Sequence, residues 1–325
     1  MCVDCNRKRG RAVNKKILKN SLGENAVLKK RIKKYYALYA MLALPIVYFV
    51  IFKYIPILGN VLAFRKYSPS TPFFGKSWIG FEYFKMFLTD SNFYKIFMNT
   101  IILSVETLII GFPFPIIFAL LLNELHSVRF KKTVQTVSYL PHFISIVVVV
   151  SFISQLLSPS SGILNEIRRY FGLEAINYLA KPQYFRTIYI VSEQWQNMGW
   201  NAIIYIAALS GVDVQLYEAV QIDGAGKWKQ MLNVTLPGIM PTIVITFILT
   251  VGNMLALGYE KVLLLMNDLN KETSDIISTY VYRLGIVDGN YSYSTAVGLF
   301  NSVIGLILVS GTNFISSRLS ETSLW

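Results

Sequence analysis

Six stretches of the chain are apolar over about twenty residues each and are separated by polar segments: roughly 36–64, 97–123, 137–157, 187–211, 238–259 and 295–317. A helix needs roughly 20 mostly apolar residues to cross the hydrocarbon layer of a bilayer. The pattern therefore predicts an all-α integral membrane protein with six transmembrane helices. The first stretch carries Lys53, which can end it early. The fourth is broken by polar residues, reading TIYIVSEQWQNMGWNAIIYIAALSGV from Thr187 to Val212. At about 100° per residue, Glu193, Gln196, Asn197 and Trp200 share one helical face. Ionisable and amide groups at membrane depth are expensive to bury and turn towards cavities or partners. Amides and a carboxylate beside an indole suit sugars, which offer hydroxyl edges and an apolar C–H face. The competing reading is polar glue between helices. Asn253 and Asn301 in the last two stretches face the same choice, with Asn253 counted as a candidate for the substrate path. Glu106 in the second stretch, near Asn99, reads as a buried contact or, in a sharper version, as part of a proton relay.

The polar connections alternate between two sides. Residues 1–35, 124–136, 212–237 and 318–325 fall on one side with eighteen Lys/Arg, and 53–96, 158–186 and 260–294 on the other with thirteen. Basic residues near span ends favour the cytosol, so both termini and the 212–237 loop are expected there. Residues 1–36 alone hold twelve Lys/Arg against two acids. Within that tail, Leu18, Leu22, Leu28 and Ile32 lie near one helical face among lysines, the pattern of an interfacial helix on anionic headgroups. No aromatic stacking platform or folded module of the kind that suits a nucleic-acid tail accompanies the charge, so membrane lipid is the expected partner and nucleic acid is not. Two regions result: a basic cytosolic tail over 1–35 and a membrane domain over 36–325.

Composition agrees. The chain is 54% hydrophobic and 15% charged with a net charge of +13, against about 25% charge in soluble domains. The cysteines are Cys2 and Cys5 and the histidines His126 and His142. A structural zinc site needs four ligands, so the CxxC is expected to be a pair of reduced thiols, with no metal bound. The first apolar run is too long for a secretory signal and follows a basic tail without a small-residue cleavage site. HExxH, GxSxG and Cys/His pairs at catalytic spacing are absent from the sequence, so no enzyme chemistry is expected. GAGK at 224–227 lacks the first glycine of a phosphate loop and has Trp228 where Ser or Thr would hold Mg²⁺. No cofactor is expected on this chain, and any nucleotide would be bound elsewhere.

The polar loop before the fifth stretch reads EAVQIDGAGKWKQMLNVTLP over 218–237. Asp213 can cap a helix running to about Ile222. Asp223-Gly224 forces a turn, because glycine accepts positive φ, and Asp223 can cap a second helix from about Ala225 to Val234. Pro237 suits the first turn of the following span. Glu218-Ala219, Asp223-Gly224-Ala225 and Leu236-Pro237 together resemble, in type and spacing, the EAA loop of permease subunits in type I, binding-protein-dependent ABC importers; only Val220 departs from the E-A-A triplet. Further motifs carry the resemblance across nearly the whole chain: GFEYFKMF at 80–87, Asn99-Thr100, SYLPHFIS at 138–145, QWQNMGW at 194–200, DIISTYVYRLGI, YSYSTAVGLFNS and the closing ETSLW. They are most similar to the maltose-permease-like carbohydrate importers, in the LplB-like branch associated with complex and uronate-containing oligosaccharides.

That resemblance implies the six-helix type I permease fold. It implies a second homologous permease, two copies of a cytosolic ATPase and an extracellular solute-binding protein delivering an oligosaccharide. Glu218, Ala219, Asp223, Gly224, Ala225, Leu236 and Pro237 would form the ATPase-coupling loop of a bacterial plasma-membrane protein. An ion- or proton-coupled secondary transporter using Glu106 and Glu193 is the alternative. The aromatic-rich 65–96 segment fits either an interfacial belt or a docking surface for the delivering protein.

Overall fold

A computed structural model describes residues 33–70, 72, 75, 77–255 and 258–319. The expected interfacial helix, Cys2, Cys5 and the closing ETSLW lie outside the described residues. The described part is almost wholly helical, with one two-stranded ladder pairing β1 (Arg65–Lys66) with β2 (Ser77–Trp78) in antiparallel register, Arg65 opposite Trp78. It falls into two compact units that divide between Val61 and Leu62.

The first unit holds most of α1, which is helical from Tyr36 to Phe64. The apolar side chains over 36–58 are exposed, as lipid-facing ones are. A wide turn over Val50–Tyr54 precedes Pro56. A proline ring crowds the carbonyl four residues back; a turn with one extra residue relieves that clash without breaking the helix.

The second unit contains α2 (Glu82–Leu88), α3 (Phe93–Asn123), α4 (Val128–Tyr139), α5 (Ile146–Leu156), α6 (Ile163–Tyr170), α7 (Pro182–Ser210), α8 (Val214–Ile222), α9 (Lys227–Asn253), α10 (Tyr259–Leu265), α11 (Lys271–Ser274), α12 (Ile277–Tyr282) and α13 (Tyr291–Leu319). Four described helices, α1, α3, α9 and α13, are long and apolar enough to cross a membrane; the number rises to six if the bent pairs α4–α5 and α7–α8 each count as one span.

The third stretch differs from its expected form. In place of a straight helix over 137–157, α4 ends at Tyr139, a tight turn covers Leu140–Phe143, and α5 leaves at 100°. Pro141 starts that turn, and Ile144 and Ser145 are extended, so the apolar run hides a corner. The second helix of the 218–237 loop differs too. Asp223 closes α8 instead of opening a new helix, and Gly226 precedes α9. From Lys227, α9 continues through a wide turn at Met231–Thr235 to Asn253. That turn contains Asn233, the residue whose carbonyl the Pro237 ring would strike, which is why the helix survives the proline.

Helix α7 is central. It packs along the second half of α3 and against α4, α9 and α10. One apolar cluster joins Leu103, Val149, Val150, Ile153, Phe185, Tyr189 and Val262; a second joins Ile116, Ala119, Ala202, Tyr205 and Ile239. At Gly199, a Cβ would collide with the Ser138 carbonyl group, so glycine is what lets α4 and α7 touch through their backbones. Small residues serve this purpose where helices meet in lipid.

Polar contacts fix the two ends. The Lys227 ammonium lies 3.3 Å from the Glu124 carboxylate, putting the 124–127 connection and the 212–226 loop at one end. At the other end Asn99 donates to the carbonyls of Glu272 (2.8 Å) and Asp275 (3.2 Å) and accepts from Arg186 (3.2 Å). The Ser292 hydroxyl donates to the Arg65 carbonyl at 2.8 Å. The described residues of 65–70 and 77–92, with connections 178–186 and 258–290, therefore share that end.

Candidate functional site: a polar cavity and an exposed loop

A cavity of about 460 Å³ opens between α3, α7 and α9. The 3.6-residue repeat sets Glu193, Asn197, Asn201 and Tyr205 on one side of α7. Thr107 borders the cavity from α3 with its hydroxyl buried, and Thr246, Thr250 and Asn253 border it from α9. Gln194 also borders it. The lining thus sets amides and hydroxyls among apolar side chains such as Leu108, Phe112, Ile204 and Leu249, and among its described residues Glu193 is the one with a formal charge.

Glu193 is held on both oxygens. Oε1 accepts from Asn197 Nδ2 at 2.5 Å, and Oε2 meets the Lys261 ammonium at 2.9 Å. Lys261, on the short helix α10, is completely buried. Its Nζ also lies 3.4 Å from Gln196 Oε1 and 5.7 Å from the centre of the Tyr189 ring. The ammonium therefore meets a carboxylate, an amide oxygen and a π face. From Asn197 the network goes on: Oδ1 lies 2.8 Å from His142 Nδ1, at the corner between α4 and α5. The His142 ring stacks on Trp200, with centres 4.4 Å apart and planes 5° from parallel.

The five residues assigned from sequence to a substrate path therefore separate. Glu193, Asn197 and Asn253 border the cavity. Asn253 donates only locally, to the Leu249 carbonyl at 2.9 Å. Gln196 is buried behind the wall, donating to the Ile144 carbonyl at 3.2 Å and receiving Lys261. Trp200 lies against His142 and Phe143, away from the lining. Glu106 stands 4.0 Å from Arg186, and Asn301 donates to the Leu255 carbonyl at 3.2 Å. Lys261 escaped the sequence reading. Its signal was a lone cation running straight into the apolar string Val-Leu-Leu-Leu-Met.

At the loop end, Asp213 caps α8 by accepting from the Gln215 N–H at 2.9 Å. Gly224 has φ +74° and donates its N–H to the Gln221 carbonyl at 3.0 Å, while Ala225 donates to Val220 at 3.1 Å. Gln230 donates to the Ala225 carbonyl, and the Tyr217 and Thr235 hydroxyls lie 2.9 Å apart, tying α8 to α9. Helix α8 thus leaves α7 at 69° as a braced elbow. Its tip exposes Glu218, Ala219, Asp223 and Gly224 alongside the apolar Val214, Leu216, Ile222 and Trp228. Ala225 and Leu236 are half-buried, and Pro237 is exposed on α9.

Residues 97–321, from early α3 through both the cavity and the elbow, match the model of the binding-protein-dependent transport system inner membrane component family. The chain belongs to this family of permeases. The permease is accordingly a transport subunit and not itself an enzyme, and a multi-pass protein of a bacterial cell membrane. It is 43% identical over 314 residues to the polygalacturonan/rhamnogalacturonan transport system permease protein YteP of Bacillus subtilis, covering 97% of both chains. It is 42% identical to Protein LplB of the same organism, over 89% of this permease and 91% of that one. A bacterial alginate ABC transporter, solved in complex with an alginate pentasaccharide-bound periplasmic protein, contains a chain that superposes with a TM-score of 0.83. The two are 40% identical, over 91% of this permease and 99% of that chain. The permease therefore has the type I ABC importer fold.

Proposed function

We propose that this permease passes acidic oligosaccharides through the α3–α7–α9 cavity and takes its drive at the α8 elbow. The observation that carries the reading is the cavity lining: neutral amides and hydroxyls, which donate and accept towards sugar hydroxyls, and apolar side chains, which suit sugar C–H faces, around a charge-balanced carboxylate. The kind of sugar comes from the relatives, whose names specify polygalacturonan, rhamnogalacturonan and alginate. In this proposal the full importer contains a second homologous permease, two copies of a cytosolic ATPase and an extracellular solute-binding protein. Residues 36–325 form the permease domain, cross the membrane six times and leave both termini in the cytosol. Nucleotide is bound by the ATPase, with no cofactor on this chain.

Closure of the ATPase dimer moves the surface on which Ile222, Glu218 and Ala219 rest. The braced elbow passes that displacement to α7 and α9, which together with α3 form the cavity wall. The cavity then faces alternate sides, as in transporters that bind near mid-membrane. A proton-coupled mechanism is disfavoured because both acids it needs are engaged, Glu106 near Arg186 and Glu193 with Lys261.

The test is uptake of radiolabelled trigalacturonate by proteoliposomes containing the complete complex. The double variant Asn197→Leu/Asn253→Leu is expected to lower uptake at least tenfold while binding-protein-stimulated ATP hydrolysis continues. Undiminished uptake rules out the cavity as the path. Uptake that persists without the ATPase but collapses with the proton gradient rules out the drive.

A further inference from the structure

Among the described residues that border the cavity, one bears a formal charge, and a fully buried cation sits directly behind it. Such pairs are not needed for stability: similar-sized apolar residues often pack as well or better. The location is informative. Glu193 keeps 29% of its side chain exposed towards the cavity, whereas Lys261 keeps 1%. A substrate can meet the carboxylate but cannot touch the ammonium.

We propose that Lys261 is a specificity-determining residue that cancels the charge of Glu193, so that an anionic oligosaccharide crosses the cavity without meeting an uncompensated carboxylate. The inference rests on the acidic-sugar reading above. It assigns Lys261 no contact with substrate. Glu193 accepts on Oε1 from Asn197 and so fixes Asn197 and, through it, the His142 corner, while Oε2 takes the ammonium. Left alone, that carboxylate would repel every uronate that passes. At an effective dielectric constant of about 20, two like charges about 6 Å apart repel by about 2.8 kcal/mol. Converted at 1.4 kcal/mol per tenfold, this is about a hundredfold. The buried ammonium at 2.9 Å removes that penalty while the hydrogen bonds to Glu193 stay in place.

Lys261→Met and Glu193→Gln break the same ion pair but leave opposite charges, which separates cavity charge from the integrity of the pair. The complete importer is reconstituted in proteoliposomes and trigalacturonate uptake is measured. Lys261→Met is expected to reduce uptake efficiency about a hundredfold. Glu193→Gln, which leaves the cation uncompensated, is expected to lower the half-saturating sugar concentration. The double variant Lys261→Met/Glu193→Gln is expected to recover most of what Lys261→Met loses. Asn253→Asp adds a negative charge from α9 without touching the pair, and is expected to reduce uptake at least tenfold; it decides the matter if Lys261→Met fails to assemble. Full uptake by Lys261→Met or Asn253→Asp overturns the proposal, as does an equal loss in Lys261→Met and Glu193→Gln, which marks a purely structural pair. Should the wild-type importer carry neutral oligosaccharides but refuse trigalacturonate, the acidic-sugar reading itself fails, and the role of Lys261 falls with it.

Discussion

Replacing Ile222 by alanine tests the elbow where it is most exposed. Ile222 closes α8 with 87% of its surface open, more than Val214, Leu216 or Trp228 nearby. The substitution removes three side-chain carbons. At about 0.8 kcal/mol for each buried CH₂, a partner that covers the side chain loses about 2 kcal/mol. That corresponds to roughly thirtyfold weaker binding. The permease itself should not notice, because exposed substitutions away from caps and networks stay within about 0.5 kcal/mol. The measurement is the dissociation constant of the ATPase subunit from the permease pair in nanodiscs, alongside the thermal midpoint of the pair alone. Binding within threefold of wild type refutes the docking role of Ile222. A fall in the thermal midpoint that accounts for the lost binding refutes the reasoning from exposure.

Three further outcomes follow from the same geometry. Gly224→Pro cannot adopt φ +74° and loses the N–H that reaches Gln221, so ATP hydrolysis should stop responding to the loaded binding protein while membrane insertion is unchanged; Glu218→Lys should uncouple in the same assay. Gly199→Val should force α4 from α7 and break the His142–Asn197 contact, seen as a lower yield of assembled complex. Asn165 is fully buried, donates to the Ser158 and Ile176 carbonyls at 3.0 Å each and accepts from the Ile176 N–H at 2.8 Å. Asn165→Leu leaves those groups unpaired, at about 2–4 kcal/mol, and should speed amide exchange across 158–177; unchanged protection would refute it.

The helical, membrane-spanning character was legible because it depends on length and apolarity alone, which α3, α9 and α13 display directly. The elbow was legible for a different reason. Asp213 and Gly224 have local tasks, a cap and a positive φ, that are completed within a few residues. Its second half was misjudged because Pro237 looks like a helix start, whereas a wide turn at Met231–Thr235 lets α9 run past it. The corner at Pro141 was hidden for a similar reason: hydropathy counts apolar residues and is blind to direction. In the cavity, helical periodicity put Gln196 and Trp200 on the same face as Glu193, yet that face is wider than the opening, and α4, α5 and α10 cover its flank. Lys261 could not be paired with Glu193 from sequence because 68 positions separate them.

The lining described above also determines what the cavity is unable to measure. Gln194, Asn201, Thr246 and Thr250 present groups that both give and take hydrogen bonds along the cavity lining. A sugar chain on the proposed path thus finds nearly equivalent partners whenever it advances by one unit, and no register holds it fast. Conduction needs such shallow, repeated sites, firm enough to enter and weak enough to leave. On the proposed path the permease would then work as a low-friction conduit, with the length and sequence of the chain it accepts decided before the sugar arrives.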